Sequence, residues 1–131
     1  MGYYLNADGK LTFRSKESLI AAAHALQGPD APLVATVKAA WDVIENAWQQ
    51  CTEMGDIFVP TEDSLEVQFS AGGKWYSGDY EVFSAALLPH ATGYVDFEED
   101  SSSMWRERWA KDGTVHQFPA VVTYRGDDPD L

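Results

Sequence analysis

Cysteine, histidine and basic residues are all scarce in this 131-residue chain, and each shortage removes a class of explanation. The lone cysteine, Cys51, has no partner for an internal disulfide, which suits a reducing compartment. His24, His90 and His116 share no ligand spacing with each other or with Cys51. Neither a metal site, a Cys–His nucleophile nor a cofactor is therefore expected. Nine Lys and Arg stand against twenty-one Asp and Glu, a net charge of −12. Such a field repels phosphates and attracts basic protein surfaces, so direct nucleic-acid binding is not expected. No apolar run approaches the ~20 residues of a membrane span. The N-terminus carries no basic-then-apolar leader. Met1-Gly2 opens like a myristoylation signal, but Asn6 stands where that signal needs Ser or Thr. A cytoplasmic, unanchored protein is the expectation.

What the chain does have is core material: 45% hydrophobic residues, with five Trp, six Tyr and six Phe. That is too apolar for disorder, and the length suits one α+β domain over residues 1–131, with an acidic tail at 126–131. The charge is sided. Up to Gln50 acids and bases nearly cancel, whereas from Cys51 onward five bases face sixteen acids.

Local patterns suggest the elements. Tyr3-Tyr4-Leu5 and Lys10-Leu11-Thr12-Phe13 read as two extended pieces around an Asn6-Ala7-Asp8-Gly9 turn. Ser15 caps a helix over residues 16–26, ended by Gly28 and Pro29. A second helix is expected from about Pro32 to Gly55. There Val34, Val37, Trp41, Ile44, Trp48 and Cys51 repeat at alternating steps of three and four, a seam that either faces the core or also pairs with a second copy. Residues 56–63 read as a connector. Leu65, Val67 and Phe69 alternate with polar residues as a half-buried strand, and Ala71-Gly72-Gly73-Lys74 reads as a turn. Tyr80, Phe83 and Leu87 mark a short third helix, stopped by Pro89.

The last third reads as a three-strand meander over 93–99, 104–110 and 114–124, with a tight Asp112-Gly113 hairpin. The fold expected is thus an antiparallel sheet of four or five strands covered on one face by the helices. A tight hairpin sets Trp109 opposite His116 and Glu107 opposite Phe118. Pairing across the preceding loop sets Asp96 and Glu98 across from Arg108 and Arg106, opposite-charge pairs that would leave neither arginine available for phosphate. Glu107 then falls on the apolar face, diagonal to His116. It is either one half of a catalytic or ligand-holding pair, or an edge residue in contact with water, or a sign that the register slips by one.

The remaining candidates are surface features. Glu62, Asp63, Glu66, Asp79, Glu81, Asp96, Glu98, Glu99 and Asp100 form acidic rows, without calcium-loop spacing. Trp75 and Tyr76, with Tyr3 and Tyr4, are either exposed anchors or caps at the sheet end.

The stretch Gly93-Tyr94-Val95-Asp96-Phe97-Glu98-Glu99-Asp100, with Met104-Trp105-Arg106, Asp112-Gly113-Thr114-Val115 and Val121-Val122-Thr123-Tyr124, resembles small uncharacterised proteins of actinobacterial phages and plasmids, some of ferredoxin-like α+β type. The resemblance implies a mobile element inside a bacterial cell and assigns no catalytic residue. Three functions are then open. One is a non-enzymatic acidic binder of a basic host protein, by phosphate mimicry against a nucleic-acid-binding defence or replication factor. A second is an enzyme or ligand binder using Glu107 and His116. A third is a structural homodimer through Val34, Val37, Trp41, Ile44 and Trp48.

Overall fold

Strict alternation of buried and exposed residues from Asn6 to Phe13 makes this segment one strand with an inner and an outer face. The computed structural model describes residues 3–100 and 103–119. The elements are β1 (Tyr3–Tyr4), β2 (Asn6–Phe13), α1 (Lys16–Gln27), α2 (Val37–Cys51), β3 (Thr52–Phe58), β4 (Glu66–Trp75), α3 (Ser77–Leu87), β5 (Ala91–Asp100), β6 (Ser103–Trp109) and β7 (Val115–Pro119). β1 and β2 are interrupted only at Leu5 and follow one register along the same edge of β4. The antiparallel sheet therefore runs β3, β4, β1/β2, β5, β6, β7, with β3 on the far edge of β4.

The α+β fold with three helices on one side of the sheet matches the expectation, but the sheet is wider than four or five strands. Two turns expected from glycine are strand interior. Asp8-Gly9 lies inside β2, where a side chain at Gly9 would meet the Tyr94 carbonyl of the neighbouring strand at 2.9 Å. Gly72 and Gly73 lie inside β4. The second helix is also shorter than its apolar seam suggested. Thr36 caps it, its hydroxyl accepting from the Ala39 amide at 3.1 Å. Its last residue is Cys51, where Thr52 enters β3 and donates its hydroxyl to the Gly72 carbonyl at 2.9 Å. The first helix is capped by Ser15, as expected, and Pro89 follows α3. The expected strand beyond Pro119 and the acidic tail at 126–131 lie outside the described residues.

The core lies between the helices and the inner face. Trp48 is its hub, with ring centroids 5.0 Å from Phe69, 5.3 Å from Phe83 and 5.6 Å from Trp75. Its indole donates to the Ser70 carbonyl at 2.8 Å, so this hub side chain is also polar-satisfied. Val34, Trp41, Ile44 and Trp48 are buried within this one chain, and Val37 packs against the same cluster. The seam thus faces the core, the first of the two readings its spacing allowed.

Candidate functional site

Because the three helices share one side, the other side of the sheet is bare of helix among the described residues. Antiparallel pairing puts directly opposite residues on the same face, so register alone maps this open face. One row crosses six strand positions as Asp56, Ser70, Asp8, Asp96, Arg106 and Phe118. The next row reads Phe58, Gln68, Lys10, Tyr94, Arg108 and His116. Charge is thus graded along the face, with carboxylates toward β3 and guanidinium groups toward β7. Five of the nine large apolar side chains exposed among the described residues stand on it: Tyr4, Met54, Phe58, Met104 and Phe118. The first three are more than half exposed, at 68%, 65% and 59%.

Two clefts divide the face, with Tyr94 lining both. The acidic one, about 380 Å³, is bounded by Asp8, Asp56, Asp96, Lys10, Phe58 and Tyr94. Asp8 sits directly opposite Asp96, a like-charge pairing that opposes strand association. Arg106 relieves half of it by a bidentate bond to Asp96, at 2.6 and 2.9 Å, while its guanidinium lies over the Tyr94 ring at 4.1 Å. Lys10 is drawn instead to Glu66, at 3.5 Å. The basic cleft, about 720 Å³, is bounded by Arg106, Arg108, Lys111, His116, Tyr94 and Phe118.

The expected acidic rows occupy separate surfaces. Glu66, Asp96 and Glu98 lie on the open face, and the first two are ion-paired. Glu62 and Asp63 are exposed in the β3–β4 connection, whereas Asp79 and Glu81 are exposed on α3, on the helix side. Glu99 is exposed near the end of β5, and the Asp100 side chain lies outside the described residues. Trp75 is only 2% exposed and packs on Trp48, Tyr80 and Phe97, so it is core rather than anchor. Tyr76 is partly exposed, with the Lys74 ammonium 5.8 Å from its ring.

The Glu107–His116 pair does not form. Opposite Trp109 stands Val115, and Arg108 faces His116, one residue out of the tight-hairpin register. A one-residue slip moves side chains to the opposite face. Hence Glu107 points to the helices and His116 to the open face. Glu107 accepts the Tyr80 hydroxyl at 2.7 Å. Burial and the Glu107 charge together hold that hydroxyl well above its ordinary value. His116 is tied through Nε2 to the Thr114 hydroxyl at 3.1 Å, which donates to Asp112 at 2.6 Å. Among the described residues no three His, Cys, Asp or Glu side chains group so as to hold a metal ion. The β5–β6 register also differs by two residues from the expected one. Asp96 pairs with Arg106, Glu98 faces Met104, and Arg108 faces Tyr94.

Sequence reasoning missed Asp8, Asp56, Met54, Phe58 and Tyr94, and set Arg108 aside as paired with Asp96, whereas it faces Tyr94. The signal for Asp8 was present: Ala7, Gly9, Leu11 and Phe13 keep a period of two that places Asp8 on the outer side. No protein-family model, curated protein or solved structure matches the chain.

Proposed function

We propose that the chain is a non-enzymatic binding protein whose helix-free sheet face docks on the basic surface of another protein. The observation that carries this reading is the coincidence, on one bare face, of exposed Tyr4, Met54 and Phe58 with the carboxylates Asp8 and Asp56. Exposed aromatic and Met side chains, with polar groups at their rim, are the composition that protein interfaces favour. Charge complementarity names the partner: a net −12 steers cationic surfaces toward the molecule, and Asp8 facing Asp96 gains most from an incoming Lys or Arg.

Asp56, Asp8 and Asp96 span three strand spacings, roughly 14 Å. A row of that length suits a basic groove shaped for phosphates, which supports inhibition of a nucleic-acid-binding host factor by phosphate mimicry. The resemblance of the C-terminal third to mobile-element proteins fits such a role in a bacterial cytoplasm.

The test is affinity capture from bacterial lysate at low and high salt with three baits. Wild type and D79N/E81Q, altered on α3, are expected to retain the same salt-sensitive basic protein. D8N/D56N/F58A is expected to lose it. Capture that survives the open-face substitutions, or is lost with the α3 substitutions, would contradict the proposal.

A further inference from the structure

We propose that the basic end of the open face binds a nucleoside phosphate, its phosphate on Arg108 and Lys111 and its base on the platform made by Phe118, Arg106 and Tyr94. The inference is independent of the docking proposal, which concerns the acidic cleft.

The first argument is the gathering of charge. Of nine Lys and Arg in a chain of net −12, Arg106, Arg108 and Lys111 line one cleft, and Arg14 is bonded to the backbone of its Lys111. Arg14 donates from Nη2 to the Lys111 carbonyl at 2.8 Å, a neutral acceptor that leaves its charge beside the cleft uncancelled by that bond. Among the described residues Arg106 has a carboxylate partner in Asp96, whereas Arg108 and Lys111 have none. Cross-strand, Arg108 meets Tyr94 and His116 rather than an acid. Clustered like charges repel, and an oxyanion at this point would relieve them.

The second argument is shape. The cleft holds about 720 Å³, within the range of small-molecule sites. Its lining joins the cations to flat apolar surface. The Arg106 guanidinium is fixed at both ends, by two hydrogen bonds to Asp96 and by the Tyr94 ring 4.1 Å away. Phe118, nearly half exposed at 48%, stands directly across from it. Bases stack on aromatic rings and on guanidinium planes alike, so this platform accepts a base where a bare phosphate would leave it unused.

The third argument concerns His116, which lines the same cleft. The Thr114 hydroxyl gives its hydrogen to Asp112, so it accepts from the His116 Nε2–H. The ring is thereby anchored at one nitrogen, at the edge of the cleft beside Arg108.

The experiment is a calorimetric titration, with backbone amide shifts followed in parallel, using four probes: adenosine monophosphate, inorganic phosphate, adenosine and a short oligoadenylate. Adenosine monophosphate is expected to shift Tyr94, Arg108, His116 and Phe118 and to bind at least tenfold tighter than phosphate or adenosine. R108Q/K111Q, both exposed positions whose fold is checked by circular dichroism, is expected to weaken it tenfold or more. F118A should weaken adenosine monophosphate severalfold and leave phosphate unchanged. Oligoadenylate binding much tighter than the mononucleotide would identify a strand as the source of the ligand, and equal binding a free nucleotide. Two results would overturn the proposal: equal affinity for phosphate and adenosine monophosphate, or adenosine monophosphate binding that is absent or survives R108Q/K111Q.

Discussion

Tyr80 and Cys51 show how single buried groups tie stability to pH. Burial pushes the Cys51 thiol from 9.0 up to about 12, with the Asp79 charge adding to the effect. Tyr80 is raised well above 10.0 by burial first and by Glu107 second. For both groups folding favours the protonated form. Their contributions are therefore complete below the unfolded values and are lost as pH climbs toward the folded ones. The guanidinium midpoint of the wild type is expected to fall steadily from pH 9 to 12, and Y80F/C51A should flatten that fall. At pH 7, Y80F alone removes the shorter of two hydrogen bonds to half-buried Glu107, leaving only Gln117 Nε2 at 3.5 Å, which costs about 1–3 kcal/mol in denaturant unfolding. An unchanged midpoint would show that the bond contributes nothing. Gly93 is a second residue-scale constraint. Its φ of 144° is unfavourable for a side chain, and an added Cβ would lie 2.0 Å from the Lys10 carbonyl of β2. G93A is expected to destabilise by roughly 3 kcal/mol or more, read as a lowered thermal midpoint.

At the scale of elements, α2 separates core packing from assembly. W48A removes the ring that touches Phe69, Phe83 and Trp75, and is expected to cost about 3–5 kcal/mol. The sedimentation mass should stay that of wild type, since the seam is buried in its own chain. A drop in mass would mean that the seam also joins two copies. The helices were legible in the sequence because caps and a 3.6-residue period are local: Ser15, the Val37-to-Trp48 seam, and the Tyr80, Phe83 and Leu87 stripe. The strands were less so. Gly9, Gly72 and Gly73 looked like turns because glycine also serves inside strands, at Gly9 where the Tyr94 carbonyl of β5 comes close and at Gly73 where φ is positive, and only the neighbouring strand reveals which role applies. Residues 52–58 lack a clear period of two, because β3 takes its place by pairing with β4 across a bulge between Thr52 and Met54. The site depended on register, which is non-local. A slip of one in β6–β7 and of two in β5–β6 decided whether His116 met Glu107 and whether Arg108 met Asp96.

For the whole molecule, helices on one side and a charge-graded bare face on the other make a two-sided object. Its acids are divided between those sides, so net charge sets the approach of a cationic partner while local chemistry selects where it lands. The most direct measurement is an amide chemical-shift titration of the whole chain with a Lys- and Arg-rich peptide at low salt. Shifts concentrated on Tyr4, Asp8, Met54, Asp56, Phe58 and Asp96, abolished by D8N/D56N/F58A, are the outcome expected. Shifts of equal size at Glu62, Asp63, Asp79 and Glu81 would contradict the account, because the peptide would then be following charge alone.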